Sequence, residues 1–222
     1  MTQRAGAIPE DRRIARSRTA IVSGATEAFL ASGYDGTSID DVAAAAGVAR
    51  RTVYNVYGDK EALFRVVLLQ ATEIAESYAE RLADASTDLD GGGIEAVFIA
   101  MARDLADSIV GGPVIAVRRL LISEVRRFPE LAADYYDRAP GLVMRTLAAT
   151  IARFHAAGVL HAPDAERAGE HFAFLTIGAS LDRGLFDVEP SSGAAALAHE
   201  RAESGARAFL RAYAPRRSEQ DG

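Results

Sequence analysis

AFLASGYDGTSIDDVAAAAGVARRTVYNVYGDKEALF, residues 28–64, is the stretch of the chain that decides its fold. Ser38 and Asp41 have the spacing of a capping box, which predicts that a helix begins there. The helix is predicted to end at Gly47, since glycine readily adopts the left-handed conformation that ends helices. Residues 49–57 then predict a second short helix, so the stretch has the form of a helix-turn-helix.

The second short helix combines an apolar side with a polar surface. Val53 and Tyr57 are four residues apart and are expected to face the core. The side chains expected on the other faces are Arg50, Arg51, Thr52, Tyr54 and Asn55. Arginine can bind guanine through two hydrogen bonds, and the methyl group of threonine can contact thymine. This pattern predicts a recognition helix that lies in the major groove of double-stranded DNA.

Ser38 and Lys60 are two further candidates for DNA contact. Ser38 offers a hydroxyl and free backbone N–H groups to a phosphate, although a plain N-cap role explains it equally well and the two roles are compatible. Lys60 is the only lysine of the chain and lies in the first turn of the next predicted helix, where a cation opposes the helix dipole. Folding supplies no evident reason for it, so a phosphate contact is predicted.

Helical periodicity continues on both sides of this stretch, and no hairpin pattern is present. The chain is therefore predicted to be all-α with about nine helices, including one with a possible bend before Pro140. The predicted helices are 11–32, 38–46, 49–57, 59–82, 94–110, 114–127, 129–157, 164–186 and 193–213. We predict a three-helix DNA-binding domain over 11–58 and a helical bundle over 59–214. Residues 1–10 and 215–222 are predicted to be flexible tails.

Composition limits the class of protein. The 222 residues carry a formal charge of −6, but residues 1–60 hold eight basic and seven acidic side chains, and the rest hold 17 and 24. The acidic charge thus lies away from the predicted DNA-binding part. Five arginines precede or open the first helix, where they can reach a DNA backbone: Arg4, Arg12, Arg13, Arg16 and Arg18. The absence of cysteine and of any long apolar run predicts a cytoplasmic protein without disulfides or a membrane partner.

Residues 28–64 resemble the TetR family of bacterial repressors, whose pattern is of the type F-x-x-x-G-Y-x-x-T-S-[IV]-x-x-[IV]-A-x-x-A-G-V-S-x-x-T-[LIV]-Y-x-[HY]-F-x-[SDN]-K-[ED]-x-L. The matches extend over nearly forty residues. The resemblance implies a homodimer that binds a palindromic operator and releases it when a small molecule enters the C-terminal bundle. It also implies a phosphate contact for Lys60. Repression rather than activation rests on this resemblance alone.

Three positions depart from the family pattern. Ala49 stands where the family usually has serine, so the N-cap of the recognition helix is absent, at a cost of about 1 kcal/mol. Val56 stands where histidine or tyrosine often contacts a phosphate. Tyr57 replaces the usual phenylalanine, and its hydroxyl is a candidate to replace the contact missing at Val56.

The C-terminal part supplies candidates for an effector pocket and a dimer interface. The stretch 122–132 is similar to the C-terminal domain of the AefR-like branch of the family. Most large apolar side chains there are core, but some are predicted to line the pocket: Phe98, Met101, Leu105, Leu121, Tyr135, Tyr136, Met144 and Phe172. Four arginines can ligate an anion if they point inward, or form a solvated or ion-paired face: Arg118, Arg119, Arg126 and Arg127. The resemblance assigns ligand binding and dimerisation to residues 59–214. Small residues on the last two helices allow close helix crossing, and the resemblance implies that these helices form a four-helix dimer interface, which includes His171, Leu175, Gly178, Leu197 and Phe209.

Other classes of protein fit the sequence less well. The four histidines are never three or four residues apart, no nucleotide-binding or hydrolase motif is present, and no catalytic residue, metal or cofactor is predicted. A helical scaffold that binds only proteins fits the composition but does not explain the polar face of residues 50–55. The sequence therefore predicts a DNA-binding transcriptional regulator rather than an enzyme.

Overall fold

The computed structural model describes residues 10–85, 93–110, 112–186 and 193–215, and these residues contain helices but no strand. The α-helices are α1 (Glu10–Gly36), α2 (Ile39–Ala46), α3 (Arg50–Tyr57), α4 (Lys60–Ala85), α5 (Gly93–Val110), α6 (Val114–Glu124), α7 (Pro129–Tyr136), α8 (Leu142–Ala156), α9 (Ala165–Leu185) and α10 (Ala194–Ala212). A π-helical segment, Asp137–Gly141, joins α7 to α8. Counting this continuous run as one bent helix gives nine in the described residues, which confirms the predicted all-α class. The two predicted tails, residues 1–10 and 215–222, fall almost wholly outside the described residues.

The ends of the first helices follow from local sequence. The helical run of α1 is broken at Gly33, whose φ of 72° is left-handed. The long regular part of α1 therefore ends beside Ser32, where the first helix was predicted to end. α2 begins with the predicted capping box of Ser38 and Asp41 and ends at Gly47, with φ 65°. α3 begins after Ala49, whose side chain makes no cap hydrogen bond. The predicted loss of an N-cap at the recognition helix is therefore present.

The first of two compact units contains the described residues up to Gln70, together with Leu120–Arg127. Its core is aromatic at the centre: Phe64 packs edge-on against Phe29 and Tyr34, with ring centroids 5.1 and 4.9 Å apart. Val53 of α3 is also buried, which holds the recognition helix against the rest of the unit. Burial of these side chains fixes the position of α3, because the hydrophobic effect penalises their exposure.

The second unit contains Ala71–Arg119 and the described residues from Phe128 onward. Helices α5, α9 and α10 pack on one another, and α8 packs on α9. Gly205 allows the crossing of α9 and α10, because a Cβ at this position would lie 2.2 Å from the carbonyl oxygen of Leu175. The small residues of α10 thus serve packing inside one chain.

The π-helical segment coincides with the bend that was predicted before Pro140. Proline has no N–H and its ring displaces the preceding carbonyl, so regular α-helical hydrogen bonding cannot continue through it. Arg145 supports the segment by donating hydrogen bonds to the carboxylate and the backbone carbonyl of Asp137, at 2.8 and 3.0 Å. The position of the irregularity was therefore predictable from Pro140, whereas its π-helical hydrogen bonding was not.

Candidate nucleic-acid interface

Ser38 has its hydroxyl engaged within α2. The hydroxyl donates to Oδ2 of Asp41 at 2.6 Å and accepts from the backbone N–H of Asp41 at 3.1 Å. The backbone N–H of Ser38 in turn donates to Asp41 at 2.8 Å, and these hydrogen bonds lower the pKa of the Asp41 carboxyl. Both halves of the capping box are thus formed. A phosphate contact by Ser38 stays a prediction; the side chain is exposed, but its hydroxyl proton would have to leave Asp41 to bind a phosphate.

Helix α3 presents the predicted polar face to solvent. Arg50, Arg51, Tyr54 and Asn55 are exposed, and Thr52 is half-buried. Val53 anchors the opposite side in the core. In a recognition helix, side chains that are free of the core are the ones that can reach base edges. The structure therefore brings these five residues together on one short helix, as the sequence predicted.

Arg50 is held by two neighbours in the free protein. Its guanidinium forms an ion pair with Asp40 at 2.8 Å and donates to the hydroxyl of Tyr54 at 3.3 Å. The hydrogen bond to Tyr54, and then the charge of Asp40, raise the pKa of Arg50. Both side chains of the ion pair are more than half exposed, and such pairs contribute only about 0–1 kcal/mol. Arg50 can therefore exchange Asp40 for a DNA acceptor at small cost.

Tyr57 turns toward α1 and away from the exposed face of α3. The side chain is half-buried, and its hydroxyl lies 3.5 Å from the backbone carbonyl of Arg18, to which it can donate. Burial raises the pKa of this hydroxyl. Val56 beside it is half-buried as well. A phosphate contact by Tyr57 stays a prediction, and would require this weak hydrogen bond to be exchanged.

Lys60 has a structural role that sequence reasoning missed. Its ammonium donates to the carbonyls of Tyr34 and Thr37, at 2.6 and 2.8 Å, and lies 4.3 Å from the centroid of the Tyr34 ring. The inference that folding gives no reason for this lysine is therefore wrong. The carbonyl of Tyr34 lies in the last turn of α1, beyond the break at Gly33, and that of Thr37 lies in the connection to α2, 26 and 23 residues away in the chain. No local pattern could have indicated them, and a phosphate contact is no longer needed to explain the residue.

Two further residues, which the sequence did not single out for this role, stabilise the end of α1 and its connection to α2. The hydroxyl of Thr37 is hydrogen-bonded to the carbonyls of Ala28 and Gly33, at 3.0 and 2.8 Å. Arg127, in the part of the chain that was assigned to ligand binding, places its guanidinium carbon 4.6 Å from the centroid of the Tyr34 ring and pairs with Asp35. Arg127 thus belongs to the unit that contains the recognition helix.

The leading arginines are only partly described. Arg16 and Arg18 are exposed on α1. Arg4 and the side chains of Arg12 and Arg13 lie outside the described residues. Contacts from this group to the DNA backbone therefore stay predictions.

Most residues predicted for the effector pocket are buried in the second unit. Phe98 packs against Phe172 with ring centroids 5.5 Å apart, and Met101 and Leu105 lie in the same core cluster. Tyr135 is buried, and Met144 is partly buried against the cluster. Leu121 is buried as well, but it belongs to the first unit, so it does not lie with the other predicted pocket residues. Tyr136 does not fit the prediction, because 64% of it is exposed. It follows Tyr135 by one residue on α7, and a step of one residue turns the side chain to another face of the helix.

One residue predicted for the dimer interface is also corrected. Phe209 is fully buried inside the chain, 5.3 Å from the ring of Phe172 and stacked on Tyr213, so its side chain is not on the surface that a second copy meets. His171, Leu175, Gly178 and Leu197 keep at least partial exposure. Phe174 on α9 is also a large apolar side chain outside the core, because 64% of it is exposed. Phe172, two residues earlier on α9, is fully buried. Residues two apart point to different sides of a helix, so the burial of Phe172 turns Phe174 away from the core.

Comparison with known families finds two matches, one in each part of the chain. Residues 21–67 match the family described as bacterial regulatory proteins, tetR family. Residues 96–215 match the C-terminal domain of AefR-like transcriptional repressors. The chain belongs to the TetR family of transcriptional regulators. The predicted resemblance, including its AefR-like branch, is confirmed.

Individual relatives agree with this assignment. A TetR-family transcriptional regulator from Mesorhizobium loti superposes with a TM-score of 0.79 at 26% identity, over 91% of this chain and 98% of that one. The flavonoid-responsive regulator FrrA gives 0.65 at 27% identity, over 91% and 100%. The mycofactocin biosynthesis transcriptional regulator MftR of Mycobacterium tuberculosis is 40% identical over 60 residues, which are 25% of this chain and 30% of the relative. The match to MftR thus spans under a third of that protein's length.

Membership of the TetR family decides between the main classes considered. TetR-family proteins are DNA-binding regulators and not enzymes, and repression is their usual mode. Within the described ranges, no helix is long and apolar enough to cross a membrane. The same ranges contain no cluster of three or more side chains suited to a metal ion.

Proposed function

We propose that this TetR-family regulator is a cytoplasmic repressor that binds a near-palindromic operator as a homodimer and is released by a small molecule. In this proposal, residues 11–58 contact DNA, and residues 59–214 bind the effector and form the dimer. The exposed polar face of α3 carries the proposal. Its side chains are held outward by the burial of Val53, which leaves them free for base edges.

Direct base contact is assigned first to Arg51 and Asn55. Both are exposed, and among the described residues neither side chain makes a hydrogen bond or an ion pair, so binding to DNA breaks no existing contact. An arginine reads guanine and an asparagine reads adenine through paired hydrogen bonds, each worth about 1–3 kcal/mol of discrimination. Thr52, Tyr54 and Arg50 are assigned to the flanking bases and phosphates.

Fluorescence anisotropy with the DNA upstream of the protein's own gene tests this assignment. Asn55→Ala and Arg51→Ala should each weaken binding about fivefold or more and relax sequence preference. Arg167→Ala is the matched control, because Arg167 is an exposed arginine of α9 whose ion pair within the described ranges is with Asp164, its neighbour one turn away. Unchanged affinity in both α3 variants, with native circular dichroism, would contradict the proposal and favour a helical protein that binds only other proteins.

A homodimer is supported by apolar side chains on the outer surface of α9. Phe174 and Leu175 are 64% and 47% exposed, although large apolar groups usually lie inside a protein. Phe174→Asp should convert a dimer to a monomer in analytical ultracentrifugation and weaken operator binding. Tyr136→Asp is the control, since Tyr136 is an equally exposed aromatic residue on α7. A Phe174 variant that remains dimeric would remove α9 from the proposed interface.

Release by a ligand is supported by the connectivity of the two units. α4 and α6 each pass from one unit to the other, at Gln70–Ala71 and Arg119–Leu120. A ligand that binds the second unit can bias the first only if it prefers the DNA-incompetent state, with a typical coupling of about 1–3 kcal/mol. The name of the neighbour FrrA, a flavonoid-responsive regulator, supports a small-molecule effector.

Repression is distinguished from activation by a reporter gene placed behind the upstream DNA. Deletion of the regulator should raise expression, and expression of the protein from a plasmid should lower it again. Expression that falls on deletion would contradict repression while leaving DNA binding intact.

A further inference from the structure

Three exposed side chains of the helix-turn-helix meet at the start of α3. The guanidinium of Arg50, the first residue of α3, pairs with the carboxylate of Asp40 on α2 at 2.8 Å. It also donates to the hydroxyl of Tyr54 at 3.3 Å, and its central carbon lies 5.4 Å from the centroid of the Tyr54 ring. Arg50 is therefore held from two sides, by one neighbour on each helix of the helix-turn-helix.

Stability of the fold is a weak explanation for the pair of Asp40 and Arg50. Their side chains are 61% and 58% exposed, and pairs with this exposure contribute little. Asp40 lies in the first turn of α2, where a negative charge is favourable, but Asp41 already forms the capping box there. The carboxylate of Asp40 also lies beside the polar face of α3, where its charge repels the phosphates of any DNA duplex. A group that weakens binding to all DNA needs a reason, and Arg50 is the side chain that it contacts.

Arg50 keeps free donors while it is held. A guanidinium carries five N–H donors, of which Asp40 and Tyr54 engage two and leave three. Two donors are sufficient for the paired hydrogen bonds to N7 and O6 of guanine. Arg50 therefore need not leave Asp40 in order to contact a base. A side chain that is already oriented also loses less conformational freedom on binding, which corresponds to about two- to tenfold in affinity.

We propose that Asp40 is a specificity-determining residue of the DNA interface, because it positions Arg50 to bind a guanine. Asp40 acts from α2 and contacts no base itself. Its charge lowers the affinity for every duplex, and the loss is recovered only at a site that places a guanine against the oriented guanidinium. Asp40 thus raises the ratio of operator affinity to random-DNA affinity. The inference rests on the proposed function, since it adds a residue outside α3 to the same DNA contacts.

Fluorescence anisotropy with two duplexes of equal length, the upstream DNA and a random sequence, tests the proposal. Asp40→Asn removes the charge at nearly constant size. Affinity for the random duplex should rise about fivefold, because a repulsive charge is lost and Arg50 becomes free to bind phosphate. Affinity for the upstream DNA should stay within about twofold, since the gain in charge is offset by the lost orientation of Arg50. An equal rise for both duplexes would show that Asp40 acts only through its charge and would overturn the proposal.

A double-mutant cycle with Arg50→Ala tests whether Asp40 acts through Arg50. In the Arg50→Ala background, Asp40→Asn should no longer change the ratio of the two affinities. A decrease as large as in the wild type would overturn the positioning role. Glu95→Gln is the matched control, because it removes the same charge from an exposed carboxylate of the second unit, 3.0 Å from Arg207, and should leave both affinities unchanged. A wild type that binds both duplexes equally contradicts the proposed function and the inference with it, whereas an unchanged ratio in Asp40→Asn contradicts the inference alone.

Discussion

Replacement of Lys60 by methionine separates a structural role of this lysine from a role in phosphate binding. Methionine keeps an unbranched apolar stem but removes the ammonium, and with it the hydrogen bonds to the carbonyls of Tyr34 and Thr37. Hydrogen bonds from a charged donor contribute about 1.5–3 kcal/mol each, and a cation over an aromatic ring about 0.5–1 kcal/mol. Because Lys60 is only half-buried, water can reach the freed carbonyls and recover much of this energy. We therefore expect a net loss of about 2 kcal/mol.

Thermal unfolding followed by circular dichroism, at fixed protein concentration, measures this loss. For a chain of this size, 2 kcal/mol lowers Tm by about 4–8 °C. Arg65→Met is the control, because the ion pair of Arg65 seen in the described part of the chain, with Glu61, is long and exposed, so its loss should change Tm by about 1 °C or less. In anisotropy titrations over a range of salt, Lys60→Met should leave the salt slope of operator binding unchanged. An unchanged Tm together with a slope reduced by about one would refute the structural role and identify Lys60 as a phosphate ligand.

Three further substitutions test local features of the fold. Ala49→Ser supplies the absent N-cap of α3 and should raise the free energy of unfolding in urea by about 1 kcal/mol. Gly205→Ala places a Cβ against the carbonyl oxygen of Leu175 and should lower it by about 1–3 kcal/mol, measured in the same way. Asp41 has its pKa lowered by hydrogen bonds from Ser38, so its carboxylate stabilises the fold at neutral pH, and this contribution is lost as the pH falls below about 4 and through the lower pKa of the folded state. Asp41→Asn should therefore unfold at a urea midpoint that depends less on pH between about 5 and 3.

Local sequence was sufficient to predict most helix ends. Ser38 with Asp41, the glycine at 47 and the proline at 140 each act on the backbone within a few residues of themselves, so their effect is visible without knowledge of the fold. The confirmed family follows from the same stretch, because its motif consists largely of such positions. Neither inference required knowing which helices meet.

Contacts between distant parts of the chain were not predictable in the same way. Lys60 binds carbonyls more than twenty residues away, and Arg127 contacts Tyr34 across more than ninety. The side of α9 that faces the core was also ambiguous, because apolar residues such as Phe172 and Phe174 occur on both sides of it. Apolar residues on several sides of a helix indicate that those sides are buried, but they do not show which side faces the core of the same chain. The misassigned residues are of this kind.

The corrected role of Lys60 changes where DNA affinity must originate. Ser38, Tyr57 and Lys60 are all engaged inside the fold, so phosphate binding by any of them competes with an existing hydrogen bond. Arg51 and Asn55 have no such competing contact among the described residues. Affinity should therefore be concentrated in α3, supported by backbone contacts from exposed arginines of α1 such as Arg16 and Arg18. Helix α3 also lacks a side-chain N-cap, so the segment that makes the DNA contacts is itself weakly stabilised. A change that stabilises α3 without altering its exposed face should therefore strengthen operator binding as well.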